Sequence, residues 1–378
     1  ISSRSGTVIF LKLISPFQFD IRPEIINSEL EEIKSSARKH NLMMLVINRL
    51  NRLRSFFGSD TPVGRFLEET RGSYMSAVAL SMKQESEEQR IINALKGADV
   101  PALVIKGNAI AREIYGDPNC RFSGDSDILI MKKDAQAANR TLNALGYLPE
   151  ETMPLEYCIH KLHHIKYLKK TGPGIVELHW NFAMPFLFNL RAEGIWKDVI
   201  SKGQGEFSLS PEMTMISLLI HHHTHSFREM RILVDILWAM HKYDSVIDWR
   251  SFLIRLKEIG LLKTTYITMS QLKNLWKDDL EKLRSFRILS EGIKIRKPVM
   301  LLRYFAAENM SVNESYKDRL VGRFALDKWV NITGSIVMTL FPLPDAIKGL
   351  YNDNRPLFLP YNYARYLCWR IKDWTGAH

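Results

Sequence analysis

Two aspartates one residue apart, Asp125 and Asp127 in "GDSDILI", are the residues whose types and spacing most suggest chemistry. On a strand, residues i and i+2 project from one face, so the two carboxylates would stand side by side. Left alone they repel and raise each other's pKa. A divalent cation reverses that sign, because carboxylate oxygens are the ligands that Mg²⁺ or Mn²⁺ prefers. The spacing alone is weak. Among 18 aspartates, about one Asp-x-Asp pair arises by chance, and a turn residue followed by a cap also accounts for it.

Three neighbouring features sharpen the reading. Glu177 lies mid-strand in "IVELHW", with His179 on the same face. An acid in an apolar strand is costly unless it is paired or binds metal. About 20 residues before the aspartates, "VPALVIKG" reads as a buried strand ending at Lys106 and Gly107, and Asn108 opens a short helix. A glycine turn feeding a helix start offers free N–H groups and a positive dipole end to a phosphate. Lys106 would add a point charge, or would simply snorkel from a strand end. Asp125, Asp127 and Glu177 with this turn make a metal-plus-phosphate site.

The elements that must position these residues follow from periodicity. Residues 23–96 space their apolar side chains mostly at three and four, ending at Gly97, and read as helices. "NAIAREIYG" is a short helix stopped by Gly116, "SDILIM" a strand, and "KKDAQAANRTLNALGY" a helix. "HHIKYLKK" and "GIVELHWNF" alternate as two strands of a hairpin turning at "TGPG". Ser210-Pro211-Glu212 is a helix start. A long helical stretch follows it, with a break near Ser226, and further helices reach about residue 307. The pattern predicts an α+β fold, a mixed sheet flanked by N-terminal and C-terminal helical regions. Its units are 1–98 (helical), 99–205 (α/β core), 206–307 (helical, lining the cleft) and 308–378 (helical or irregular extension).

"ALVIKGNAIAREIY", "CRFSGDSDILI", "LNALGY" and "IVELHWNF", in that order, resemble a poorly characterised bacterial nucleotidyltransferase family of the DNA polymerase beta superfamily. "HHHTHSF" and "MRILVDI" resemble its helical segment, so the likeness spans roughly residues 25–300. Two departures stand out. The usual Gly-Ser turn is Gly107-Asn108, and Gly124 stands where a serine often precedes the first aspartate, with Ser123 one place earlier.

The resemblance implies a polymerase beta-like fold. It also implies transfer of a nucleoside monophosphate from an NTP to an acceptor, with two Mg²⁺ or Mn²⁺ ions on Asp125, Asp127 and Glu177. Lys106, Gly107, Asn108, Arg121 and Ser123 would meet the nucleotide, although Arg121 also suits a surface role. His179 would orient Glu177 or touch the acceptor, or else bond backbone in the core. Among the histidines near 221, His221 and His225 sit at i,i+4, a spacing that can bind metal. No acid or cysteine accompanies them in the required pattern, so a cleft-lining helix is preferred. Arg231 and Asp235, also i,i+4, read first as an intrahelical salt bridge; the resemblance adds a cleft-facing role.

Composition bounds the partners. A formal net charge of +11 suits anionic partners or a generally basic surface. The acceptor is expected to be a small molecule or a peptide or protein, and the proteins resembled point to a peptide natural product. Nucleic acid is less favoured, because no RNA-recognition signature is present. An RNA-end nucleotidyltransferase and an NTP sensor without chemistry are the alternatives. Three cysteines without CxxC spacing fit a reducing, cytoplasmic setting. No apolar run reaches the ~20 residues of a membrane helix, and Lys12 interrupts the apolar N-terminal stretch, which does not read as a signal peptide. "SIVMTLFPLPDAIKGLY" suits either a membrane-surface or partner helix or buried packing.

Overall fold

The computed structural model describes residues 5–18, 22–121, 123–150, 154–171, 174–184, 186–295, 299–306, 310, 316–340, 342, 344–351 and 355–375. Four short helices lie between Ser5 and Arg52. A 36-residue helix, α1 (Pro62–Gly97), follows. Thr61 caps it by accepting from the Gly64 N–H, and Pro62 opens it where no N–H is needed.

The sheet contains β1 (Ala102–Val104), β2 (Ser126–Ile130), β3 (Tyr147–Pro149), β4 (His164–Lys169) and β5 (Ile175–His179), in the order β1-β2-β5-β4-β3. Only the β2–β5 pair is parallel; the other three pairs are antiparallel. The mixed sheet and its helical flanks agree with the α+β expectation. The β4–β5 hairpin also forms as expected, although Gly172 and Pro173 of its turn lie outside the described residues. The short strand β3 and a second hairpin, β6 (Val199–Gly203) with β7 (Glu206–Leu209), were not legible in the pattern.

Every residue of β2 is buried, so both faces of the sheet are covered at this strand. Ile128, Ile130, Val176 and Leu178 pack with Ala138 and Leu142 of α2 (Ala135–Ala144) and with Ile91 and Leu95 of α1. Leu129, Leu103 and Ile105 join the larger core built by α3 (Pro211–Thr224) and α4 (Met230–Tyr243). The alternation therefore points Asp127 toward the helical side, opposite Ile128 and Ile130.

The break between α3 and α4 falls at Ser226 and Phe227, both with positive φ (52° and 58°). Beyond α4, helices continue through α5 (Leu262–Leu280) to a C-terminal group ending at Thr375. In the stretch "SIVMTLFPLPDAIKGLY", Ser335 and Ile347 are buried while Val337 and Leu350 are exposed, and Phe341 and Leu343 lie outside the described residues. Among the described residues no helix is long and apolar enough to cross a membrane. Cys120, Cys158 and Cys368 form no disulfide among the described residues.

Candidate functional site

The parallel pairing of β2 with β5 sets Asp127 directly opposite Glu177. The two acids share a face on adjacent strands, and His179, two residues on from Glu177, joins them. His179 Nε2 lies 2.9 Å from Asp127 Oδ1 and 3.2 Å from Glu177 Oε2. From the end of β1, Lys106 Nζ reaches Asp127 Oδ1 at 2.5 Å. Asp127 is buried, His179 is buried and Glu177 half-buried.

The expectation of bare, repelling carboxylates concerns Asp125 and Asp127; Asp127 is not bare but is held by Lys106 and His179. Burial pushes the Asp127 carboxyl up, but the Lys106 ammonium and His179 outweigh it and hold the group well below the usual carboxylate range. Glu177 is also lowered, chiefly by its hydrogen bond with His179, with burial and the charge of Asp127 acting against the shift. Burial pushes His179 down, yet its bonds to the two carboxylates raise it above an ordinary imidazole. Repulsion between the acids persists as a minor effect inside a cluster whose cations dominate.

Asp125 stands apart from this trio. It precedes β2 instead of lying on it, so the strand alternation does not govern its side chain. Its Oδ1 accepts from Ser123 Oγ at 2.7 Å. Ligand atoms of Asp127, Glu177 and His179 all lie within 4.8 Å of one another; Asp125 is not in that group.

Gly107 turns the chain with φ +58° and ψ −128°, a combination that side chains resist. A Cβ there would also meet Ser123 Cβ at 3.2 Å. Ser123 thus packs against the glycine turn while bonding Asp125, which ties the turn to the approach of β2. The helix after the turn is short: Asn108–Ile110, continued by one π-helical turn at Ala111–Tyr115 and stopped by Gly116 (φ +71°). The Asn108 side chain faces α1, donating to the Ser81 carbonyl and accepting from Ser81 Oγ.

Arg121 is not on the surface. It is buried and pairs with buried Asp235 of α4 at 2.8 Å, while Tyr115 donates to the other oxygen of Asp235 at 2.7 Å. This overturns the reading of Arg231 and Asp235 as an intrahelical pair: the core reaches across for Asp235, and Arg231 lies 3.5 Å from Glu229. Arg121 Nη1 remains without a hydrogen-bond partner among the described residues. It borders a small cavity with Lys106, Phe182, Ser217 and His221. His221 is held well below its usual pKa by burial, then by Lys106, His225 and Arg121, and is therefore a neutral ring. His225 ends α3, stacks edge-on against His221 at 4.5 Å and pairs with Glu229 at 2.7 Å. His222 and His223 instead bond Gln271 and Thr264 of α5 in the core.

Two supporting residues were missed. Gln84 of α1 donates to the Asp125 carbonyl at 2.6 Å, and buried Glu88 accepts from Ser126 Oγ at 3.0 Å. Both sit on a stripe of α1, Ser81, Gln84, Glu88, Ile91 and Leu95, whose 3-4-3-4 spacing marks a packed face. Polar residues on a stripe that runs into apolar ones were the available signal. Burial raises Glu88 to about 7.

The donor set can be tested against a divalent ion. Two carboxylates on adjacent strands with an imidazole beside them suit Mg²⁺ or Mn²⁺, the imidazole favouring the latter. Lys106 stands against the Asp127 oxygen with a positive charge, where the cluster attracts cations. A family model described as an uncharacterised nucleotidyltransferase matches residues 27–277, two thirds of the chain, taking in the sheet, α3 and α4. No curated protein matches the chain, and no solved structure does.

Proposed function

The chain belongs to the uncharacterised nucleotidyltransferase family, and from that premise we propose that its sheet site moves a nucleoside monophosphate from an NTP to an acceptor nucleophile. The observation that carries this reading is the side-by-side placement of Asp127 and Glu177, with Lys106 and the Gly107 turn at the end of the neighbouring strand. The acceptor hydroxyl would lose its proton to solvent water as its oxygen attacks the α-phosphorus, the bond to the β-phosphate oxygen would break, and pyrophosphate would leave.

Asp127 and Glu177, with Asp125 at the mouth of β2, would hold the divalent ions. Bound there, such ions would sharpen the nucleophile and neutralise charge on the leaving pyrophosphate. Both Asp127 and Glu177 are kept ionised at neutral pH by their partners. That suits ligation better than proton acceptance. Lys106 would swing from Asp127 to a phosphate oxygen when nucleotide and metal arrive, as a point charge. The backbone at Gly107 can approach phosphates closely because no Cβ intervenes. His179 would fix the orientation of both carboxylates. The cavity under Lys106, with Arg121 and His221 on its wall, is about 20 Å³, room for one water, and would have to widen to receive part of the nucleotide or acceptor. Helix α3 would then form the far wall of the cleft.

The acceptor is proposed to be a small molecule or a peptide or protein. Intact-mass measurement of candidate acceptors after incubation with each NTP and Mg²⁺ or Mn²⁺ tests the reading. Additions matching a nucleoside monophosphate support it. Nucleotide binding without any addition would favour an NTP sensor, and additions confined to RNA ends would favour an RNA-end enzyme.

A further inference from the structure

Two adjacent histidines at the start of β4 have no part in the transfer reading. His163 lies at the bend before the strand and His164 is its first residue. The antiparallel register sets His164 opposite His179, and their rings stack with centroids 4.8 Å apart at 29°. The bend lets His163 share that side. Its ring meets His164 edge-on at 4.3 Å and lies 5.9 Å from His179. His163 Nε2 is 2.9 Å from His164 Nδ1. One ring nitrogen from each of the three histidines falls within 4.8 Å of the others. The other ring nitrogen, His163 Nδ1, is buried with no hydrogen-bond partner among the described residues, and it faces away from the His164 contact on which the metal fit rests.

Three imidazoles are a borderline-metal donor set, unlike the oxygen cages that Mg²⁺ takes. We propose that His163, His164 and His179 bind one divalent cation of the zinc class, beside the Asp127–Glu177 pair and in competition with it for His179. Tetrahedral Zn²⁺ at 2.0–2.1 Å from nitrogen spaces its ligand atoms about 3.3 Å apart. The His163 Nε2–His164 Nδ1 contact of 2.9 Å must therefore open by about 0.4 Å, and the spacings to His179, within 4.8 Å, must close by up to about 1.5 Å through side-chain rotation. A solvent molecule would fill the fourth position. Engaging His179 draws it from the two carboxylates it now bridges. The binding claim does not depend on the transfer reaction.

The test uses the full chain, stripped with chelator and titrated with Zn²⁺ against a chromophoric competitor, with Co²⁺ as a spectroscopic probe. The expected result is one ion per chain and the strong visible bands of tetrahedral Co²⁺. Losing even an outer partner of a ligating histidine weakens metal binding about 10–100-fold. His163→Ala and His164→Ala should each weaken zinc binding at least tenfold by the same measure, whereas Glu177→Gln should retain it. Absence of stoichiometric binding, or histidine variants that bind like the parent, would overturn the proposal. Loss of zinc in Glu177→Gln would do so too, since the ion would then belong to the carboxylates. Diethyl pyrocarbonate labelling of the unaltered chain removes any dependence on how the variants fold. Zn²⁺ should shield His163 and His164 but not exposed His160, and unchanged labelling of all three would contradict the site.

Discussion

Replacing Asp127 with Asn keeps the side-chain shape and removes the charge on which the cluster is centred. Two accounts of the metal-free protein predict opposite results. Were the acids mainly repelling, the variant would be as stable as the parent or more so. In the structure, Asp127 instead takes contacts from Lys106 at 2.5 Å and His179 at 2.9 Å. Removing one partner of a buried ion pair costs about 3–5 kcal/mol. Lys106 keeps 26% of its side chain exposed and can be rehydrated, and His179 can shed its proton, so the expected loss is about 2 kcal/mol. Its pH dependence follows from the two shifts. The Asp127 pKa is lowered, so its contribution is present above the unfolded value near 4 and is lost as pH falls. The His179 pKa is raised, so its contribution is present below the unfolded value of 6.5 and is lost as pH rises through the folded value. The destabilisation should be larger at pH 5.5 than at pH 8. Urea unfolding of the chelator-treated parent and variant at both pH values measures it. A variant of equal or greater stability at pH 5.5 would refute the reasoning.

Other predictions rest on separate contacts. Glu88, raised to about 7 by burial, contributes stability that is full below pH 4.5 and lost as pH rises through about 7. Glu88→Gln should match the parent at pH 4.5 and exceed it by up to about 3 kcal/mol at pH 8, read by the same urea series. Gly107→Ala should cost about 1–3 kcal/mol through its backbone strain and reduce the rise in melting temperature on adding NTP with Mg²⁺. Arg121→Met should cost about 3–5 kcal/mol by stranding Asp235. The double variant with Asp235→Leu should recover most of that loss in a double-mutant cycle.

Local pattern was enough wherever one strand or one helix end decided the outcome. The alternation in "SDILI" put Asp127 opposite Ile128 and Ile130, Gly116 ended its helix at a positive φ that glycine adopts cheaply, and α1 ended at Gly97 although the positive φ there falls on Asp99. The juxtaposition of Asp127 with Glu177 needed only two short strands in one sheet. Long-range partners were not legible. Arg121 meets Asp235 across 114 positions, so an i,i+4 spacing on α4 suggested the wrong pair. Asp125 fell outside β2 because strand ends depend on the chain before them, here held by Gln84 from α1. His163 and His164 read as plain strand residues, since only the β4–β5 register brings His179 to them.

The central claim is that the Asp127–Glu177 face transfers the α-phosphoryl end of an NTP. The most direct measurement follows label from NTPs carrying ³²P at either the α- or the γ-position, incubated with Mg²⁺ or Mn²⁺ and a pool of candidate acceptors. The account predicts that α-label enters a larger acceptor product while γ-label leaves as pyrophosphate, and that Glu177→Gln lowers this transfer about 10²-fold or more. Transfer of the γ-label to the acceptor, or undiminished α-transfer by Glu177→Gln, would contradict it.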